Sequence, residues 1–249
     1  MSVLDKVSNQ KLMLVALLLL AIYPVAILAA RFDVWHFRTS FLLFIVSALL
    51  GFGVLVMAIF KMSKLGSAET QASPARYLLI TVAATLLPLM VLGSNIYKAQ
   101  QYPFIHDITT DTVNPPMFEA VAKDRSETDH SVDYEGQALA DTQQKSYPNI
   151  KPLIFNKDIQ SVWGAVNAQV EENGWQLLNA QSEQMPYRLE AFTSSALFGF
   201  KDDMVIRVQG KDQAVQVDMR SMSRQGKSDL GMNAKRIQGF FDALQKRLK

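Results

Sequence analysis

Three stretches of the sequence contain no Asp, Glu, Lys, Arg or His, and they limit the fold more than any other feature. They are residues 12–30, 39–60 and 77–97. Each is about as long as the ~20-residue helix that crosses the hydrocarbon core of a bilayer. One such run could be a buried helix of a soluble protein, but three in succession favour membrane spans. The sequence therefore predicts a transmembrane domain over residues 1–97, with the lipid bilayer as its first partner.

The first stretch has an alternative interpretation, the apolar core of a cleaved signal peptide. Such cores are shorter, at ~7–15 residues, and AILAARFD is only a weak cleavage site. We therefore favour a retained membrane anchor.

The cations that flank the spans indicate the orientation, because Lys and Arg accumulate in short cytoplasmic segments. The inner set is Lys6, Lys11, Lys61, Lys64 and Arg76, and the outer set is Arg31, Arg38 and Lys98. Five cations against three favour an external C-terminal domain. In the inner membrane of a Gram-negative bacterium, that domain would be periplasmic. Tyr97, Tyr102 and Phe104 then fit an aromatic belt at the outer interface.

The segment over residues 98–155 is predicted to be an irregular, acidic lead-in. From residue 99 it holds nine Asp and Glu against four Lys and Arg, and its prolines disfavour regular secondary structure. Apolar anchors favour packing on the following domain, and a disordered tether is the alternative.

Residues 156–249 are predicted to form an α+β domain. A helical pattern starts at Asn156, the candidate N-cap, and ends before Gly174, and a last helix runs from about Leu230 to Leu248. Between them lie four strand-like segments, residues 175–180, 187–193, 203–209 and 214–220. The order α-β-β-β-β-α predicts an antiparallel sheet with both helices on its apolar face.

Several motifs resemble those of a known family. The stretches FIHDITTD, YPNIKPL, FGFKDDMVIRV and DMRSMSRQGKSDLGMNAKRI look like successive motifs of domain-of-unknown-function family 1499. The resemblance covers Phe104 to Leu248 and leaves the three spans outside. It implies a bacterial or chloroplast protein that is often membrane-anchored, and it implies no established reaction, substrate or ligand.

The main candidate site is the last of these motifs, where cations gather at a helix N-terminus. Such a terminus offers unpaired N–H groups and the positive end of the helix dipole to an anion. The predicted ligand-binding residues are Arg220, Ser221, Ser223, Arg224, Lys227 and Asn233. In the structural alternative, Ser228 or Asp229 caps the helix and Arg220 pairs with Asp202 or Asp203.

Secondary candidates are His106, Asp107, Asp111, Asp202, Asp203 and Arg207. A histidine with nearby carboxylates suits metal binding or proton transfer, whereas in a turn the same groups bond to the backbone. We predict no metal site, no cofactor and no catalytic residue, since no GxSxG, HExxH or dinucleotide fingerprint occurs.

Strand alternation predicts one polar sheet face that carries Arg188, Glu190, Arg207, Asp218 and Arg220. These residues form cross-strand ion pairs or line a concave site. From residue 199 onward eleven Lys and Arg stand against six Asp, so we expect the acidic lead-in to cover basic groups of the domain. The alternative is a basic patch that faces anionic lipid headgroups.

The net charge of +2 does not indicate nucleic-acid binding, and a chain without cysteine has no disulfide or thiolate metal site. We predict a membrane-anchored envelope protein whose external domain binds a protein partner or a small anionic ligand. The alternative is a membrane-bound enzyme that acts on an anionic envelope substrate at the Arg220–Asn233 loop. Partner binding predicts an exposed apolar patch, and catalysis predicts a pocket with convergent polar groups.

Overall fold

A computed structural model describes residues 7–65 and 73–249, and Lys6, one of the five inner cations, lies outside them. The chain divides into two compact units. One comprises residues 1–99 and 196–199, and the other comprises residues 100–195 and 200–249.

The first unit contains the three predicted apolar helices, which are confirmed: α1 (Asn9–Arg31), α2 (Phe37–Met62) and α3 (Ser73–Ala99). Each helix packs against the other two. Their apolar windows have mean hydropathies of 2.8, 2.8 and 2.0, and all three helices are long enough to cross a membrane.

The packing of this unit inverts that of a soluble bundle. Small side chains such as Ala16, Ala26 and Ala58 are buried, whereas Leu18 and Leu49 are exposed. Serine hydroxyls of α2 donate to carbonyls of α1, one of them from Ser47 Oγ to Leu19 O at 2.9 Å. Close packing of small residues and hydrogen bonds between helices are typical of helices that pack in lipid.

The second unit has the predicted α-β-β-β-β-α order and antiparallel sheet, both of which are confirmed. Its elements are α6 (Ile159–Glu172), β3 (Gln176–Gln181), β4 (Tyr187–Ser194), β5 (Lys201–Lys211), β6 (Ala214–Ser223) and α7 (Met232–Arg247). The Asp158 carboxylate caps α6 by accepting from Ser161 N–H, so the predicted Asn156 cap is wrong. Gly174 follows the end of α6 with φ 64°, a conformation that favours glycine.

Residues 100–155 add further elements: β1 (Asp107–Thr109), α4 (Ala120–Asp124), α5 (Gln137–Ser146) and β2 (Leu153–Phe155). Both strands pair with β6, so the sheet order is β1-β6-β5-β4-β3, with β2 also on β6. Strands of three residues are too short to show an alternating pattern, so the sequence does not predict them.

The main core lies between the sheet and helices α6 and α7. Ile206 and Met219 of the sheet pack with Val166 and Ile237 of the helices, all fully buried. We call this side of the sheet the helix face.

Candidate functional site

The opposite side of the sheet, which we call the ionic face, carries the five charged residues that strand alternation assigns to it. Val205 and Met222 lie on this side in an apolar cluster with Phe118 and Val121, separate from the main core. In the β5–β6 register, Arg207 is directly opposite Asp218, and Val205 is opposite Arg220. In the β4–β5 register, Arg188 is opposite Arg207, and Glu190 is opposite Val205. The predicted grouping of Arg188, Glu190, Arg207, Asp218 and Arg220 on one face is therefore confirmed.

Arg220 is at the centre of the ionic face and is 2% exposed. Its Nε and Nη2 donate to the two carboxylate oxygens of Asp107 at 2.9 and 2.7 Å. Further bonds reach backbone oxygens of the segment before α5, and the rings of Phe118 and Tyr134 lie 4.9 and 5.4 Å from the guanidinium carbon. The expected pairing of Arg220 with Asp202 or Asp203 is thus wrong. Strand β1 pairs with β6 and places Asp107 next to Arg220.

Asp203 is the second buried centre. It accepts from Arg224 Nη2 at 2.8 Å and from Arg125 Nε at 2.9 Å. Arg224 also donates to Asp124 at 2.8 Å. Two guanidinium groups therefore surround one carboxylate, and Asp124 adds a second negative charge.

Arg207 forms the third centre. It donates to Asp218 from Nε and Nη2 at 3.1 and 2.9 Å and to Asp111 from Nη2 at 2.9 Å. The Gln216 amide donates to the same Asp218 carboxylate. Asp218 is thus neutralised by its cross-strand neighbour.

Glu190 has a role that the sequence does not reveal. Its carboxylate accepts from Glu119 N–H at 3.0 Å and Val121 N–H at 2.9 Å, where α4 begins. Arg188 lies 3.6 Å from the same carboxylate. Since Glu190 and Asp218 are on strands separated by β5 and serve different partners, they do not form a paired acidic site.

The polar side chains around the loop before α7 form hydrogen bonds with one another and with the backbone of the domain. Asp229 accepts from Gly231 N–H at 2.9 Å and Asn233 N–H at 2.8 Å, so a carboxylate already occupies this helix N-terminus. Burial raises the pKa of Asp229, and those two backbone bonds oppose the shift. Ser221 Oγ donates to Asn233 Oδ1 at 2.7 Å, and Asn233 Nδ2 donates to Ser223 Oγ at 3.1 Å.

The six predicted ligand-binding residues therefore have different environments. Arg220, Ser221, Ser223, Arg224 and Asn233 are buried in contacts within the domain, whereas Lys227 is exposed. An anion at this loop would have to displace Asp107 or Asp203 from an arginine. The ligand site stays a prediction.

The secondary candidates do not converge on one point. Asp107 binds Arg220, Asp111 binds Arg207, and Asp202 binds Arg236 at 2.5 Å. Within residues 7–65 and 73–249, no group of three or more His, Asp or Glu side chains has a metal-binding arrangement.

His106 instead packs against a second histidine. Its ring centroid lies 4.2 Å from that of His130, and the residue is 8% exposed, with no hydrogen-bond partner for Nε2. Burial lowers the pKa of His106, and the neighbouring His130 lowers it further. His130 Nε2 lies 3.0 Å from Gly226 O, so the stacked pair joins the lead-in to the loop before α7.

Large apolar side chains are exposed next to that loop, and the sequence does not group them. Tyr102, Phe104, Leu230 and Met232 form what we call the apolar patch. Ser228 Oγ donates to Pro103 O at 3.3 Å and Asp229 N–H donates to Ile105 O at 3.2 Å, which places the two segments side by side. Tyr102, Leu230 and Met232 also line a groove of about 430 Å³ with Tyr147.

Comparison with known proteins adds one finding. No curated protein matches this sequence. The profile of the DUF1499 family, described as protein of unknown function, matches residues 107–244, from β1 into α7 and more than half of the chain. The chain therefore belongs to the DUF1499 family.

Proposed function

We propose that the protein is a cell-envelope protein anchored in the bacterial inner membrane, and that its external, periplasmic domain binds an extended segment of a protein partner along strand β3. The observation that carries this proposal is that β3, the last strand of the sheet, has no charged residue and exposes Leu177. The membrane anchor holds that edge outside the cytoplasm.

Strand β3 is the last strand of the sheet and pairs with β4 on one side. Edge strands are usually protected against further pairing by charged residues or proline. The sequence of β3, QLLNAQ, contains neither. A register shift between Leu177 and Asn179 interrupts its pairing with β4, but no charged side chain or proline blocks its outer side. The backbone of β3 is therefore a template for an added strand.

The side chains on and around β3 also favour binding of an added strand at this edge. Leu177 is 54% exposed and lies opposite Ala191, a residue of the main core. Helices α6 and α7 pack on β5 and β6, so the helix face is less well covered toward β3. An added strand gains main-chain hydrogen bonds and an apolar contact at Leu177, which together provide affinity and register.

A small anionic ligand and an enzymatic reaction are less well supported by the geometry. Arg220 and Arg224 hold carboxylates of the domain itself, and Asp229 fills the N-terminus of α7. A reaction at the Arg220–Asn233 loop needs polar groups that are free to act on a substrate.

The test uses the full-length protein in its membrane. The chain has no cysteine, so Gln181→Cys introduces a single attachment point for a photo-crosslinker on β3. We expect an adduct that a second substitution, Leu177→Lys, abolishes by guarding the edge. Met185→Lys, at a 65% exposed position after β3, serves as the matched control and leaves the adduct intact. An adduct that survives Leu177→Lys contradicts the proposal.

A further inference from the structure

We infer that the apolar patch, together with the lysines around it, binds the surface of an anionic lipid bilayer. This inference concerns a different surface from β3 and does not depend on the proposed protein partner. It assigns a role to the loop before α7, which is far in sequence from the three apolar helices.

A short stretch of sequence connects the end of α3 to the first residue of the apolar patch. The helix ends at Ala99, and Tyr102 follows three residues later. Three extended residues span at most about 11 Å. The headgroup region on each side of a bilayer is ~5–7 Å thick. A chain anchored by α3 can therefore bring Tyr102 to the lipid headgroups, and the Tyr102 ring lies against Gly231 of the α7 loop.

The loop is shaped to expose apolar side chains. Leu230 has φ 53° and Gly231 has φ 79°, so two successive residues adopt the left-handed conformation. This conformation is unfavourable for leucine, yet the Leu230 side chain remains exposed. A Cβ atom at residue 231 would lie 2.5 Å from the Tyr102 ring, so a glycine is needed for the contact that joins the two segments.

The charges near the patch complement an anionic surface. Lys227 and Lys235 flank Leu230 and Met232 in the sequence, and Lys145 and Lys151 flank the groove-lining residues 146–150. All four lysines are exposed. Exposed apolar groups amid lysines are the composition that binds headgroups and inserts into the interface. A protein partner with an apolar acidic surface is the alternative occupant.

The test places a fluorophore in the full-length protein and measures its contact with lipid. Met232→Cys and Ile154→Cys have similar native exposures, 51% and 53%, and Ile154 is in β2, away from the α7 loop. Each labelled variant is reconstituted in vesicles of phosphatidylcholine with or without phosphatidylglycerol. Lipids with a nitroxide near the headgroup serve as quenchers.

We expect several-fold stronger quenching at position 232 than at position 154, with an increase when phosphatidylglycerol is present. Lys227→Gln with Lys235→Gln should remove that increase, and Phe104→Ser with Leu230→Ser should lower quenching at 232 in both lipids. Equal quenching at 232 and 154 overturns the inference and leaves the patch to a protein partner. Quenching at 232 that is unchanged by both pairs of substitutions also overturns it, because proximity without binding gives that result.

Discussion

On the helix face of the sheet, Ile206 and Met219 are buried against aliphatic and aromatic side chains of two helices. On the ionic face, Arg220 and Asp203 are equally well buried, but against carboxylates and guanidinium groups. The first arrangement depends on apolar area and shape, and many side chains of suitable volume satisfy it. The second depends on specific pairs, because each charge needs its partner to offset the loss of hydration.

This difference explains how the lead-in is held in place. Asp107, Asp111 and Asp124 come from that segment, and each meets an arginine of β5, β6 or the residue after it. A buried pair contributes little net stability, yet a chain placed with the wrong register leaves several charges unpaired. The ionic face therefore fixes the position of the lead-in more than it adds to the free energy of unfolding.

The largest expected effect comes from breaking one buried pair. Arg220→Met leaves the Asp107 carboxylate, 1% exposed, without its guanidinium partner. We expect a loss of about 3–5 kcal/mol in the free energy of unfolding, measured by denaturant titration with the fluorescence of Trp163 and Trp175. The double variant Arg220→Met with Asp107→Leu should recover a large part of this loss.

The matched control for that experiment is Arg247→Met, at the exposed pair with Glu172. Exposed pairs contribute little to stability, so we expect no measurable change. A loss in Arg220→Met no larger than that in Arg247→Met would show that the ionic face does not depend on its pairs.

Shortening a buried side chain on the helix face tests the apolar half of the comparison. Leu244 of α7 is fully buried in the main core. Leu244→Ala should cost about 3 kcal/mol, from the lost apolar transfer and the cavity left behind. Leu244→Met keeps the volume and should cost less than about 1.5 kcal/mol. Similar losses for both variants in the same titration would rule out a cavity effect.

A smaller effect is expected at the N-terminus of α7, which Asp229 caps. Asp229→Ala removes the acceptor for two backbone N–H groups and should cost about 1 kcal/mol. Asp229→Asn keeps a side-chain oxygen and should lose less. The thermal midpoint of the full-length protein in detergent checks both variants, and equal midpoints for Ala and wild type would exclude the cap.

The sequence predicts the helix face and the membrane helices well, because both depend on apolar periodicity. The strands of β5 and β6 alternate clearly, and their parity also groups the five charged residues on one face. The sequence does not predict which of these charged residues pair with one another. Asp107 and Arg220 are far apart in the sequence, and the strand that aligns them has three residues. Local pattern carries no information about which carboxylate meets which arginine, so Asp203 could be assigned to Arg220 with equal reason.

The smallest expected effect is a pH dependence that arises from His106, a buried residue directly before β1. Its pKa is lowered by burial and by His130, so the folded protein takes up this proton less readily than the unfolded chain, whose histidine titrates at about 6.5. Above that pH both states are neutral and the group contributes nothing. As the pH falls below it, the unfolded state gains a proton first and stability decreases, by at most about 1.4 kcal/mol per pH unit. Asp229 acts with the opposite sign, since burial raises its pKa. His106→Gln should flatten the dependence of the free energy of unfolding on pH between about 7 and 5, and His130→Gln should flatten it partly. A wild-type slope retained in His106→Gln would assign the pH dependence to another group.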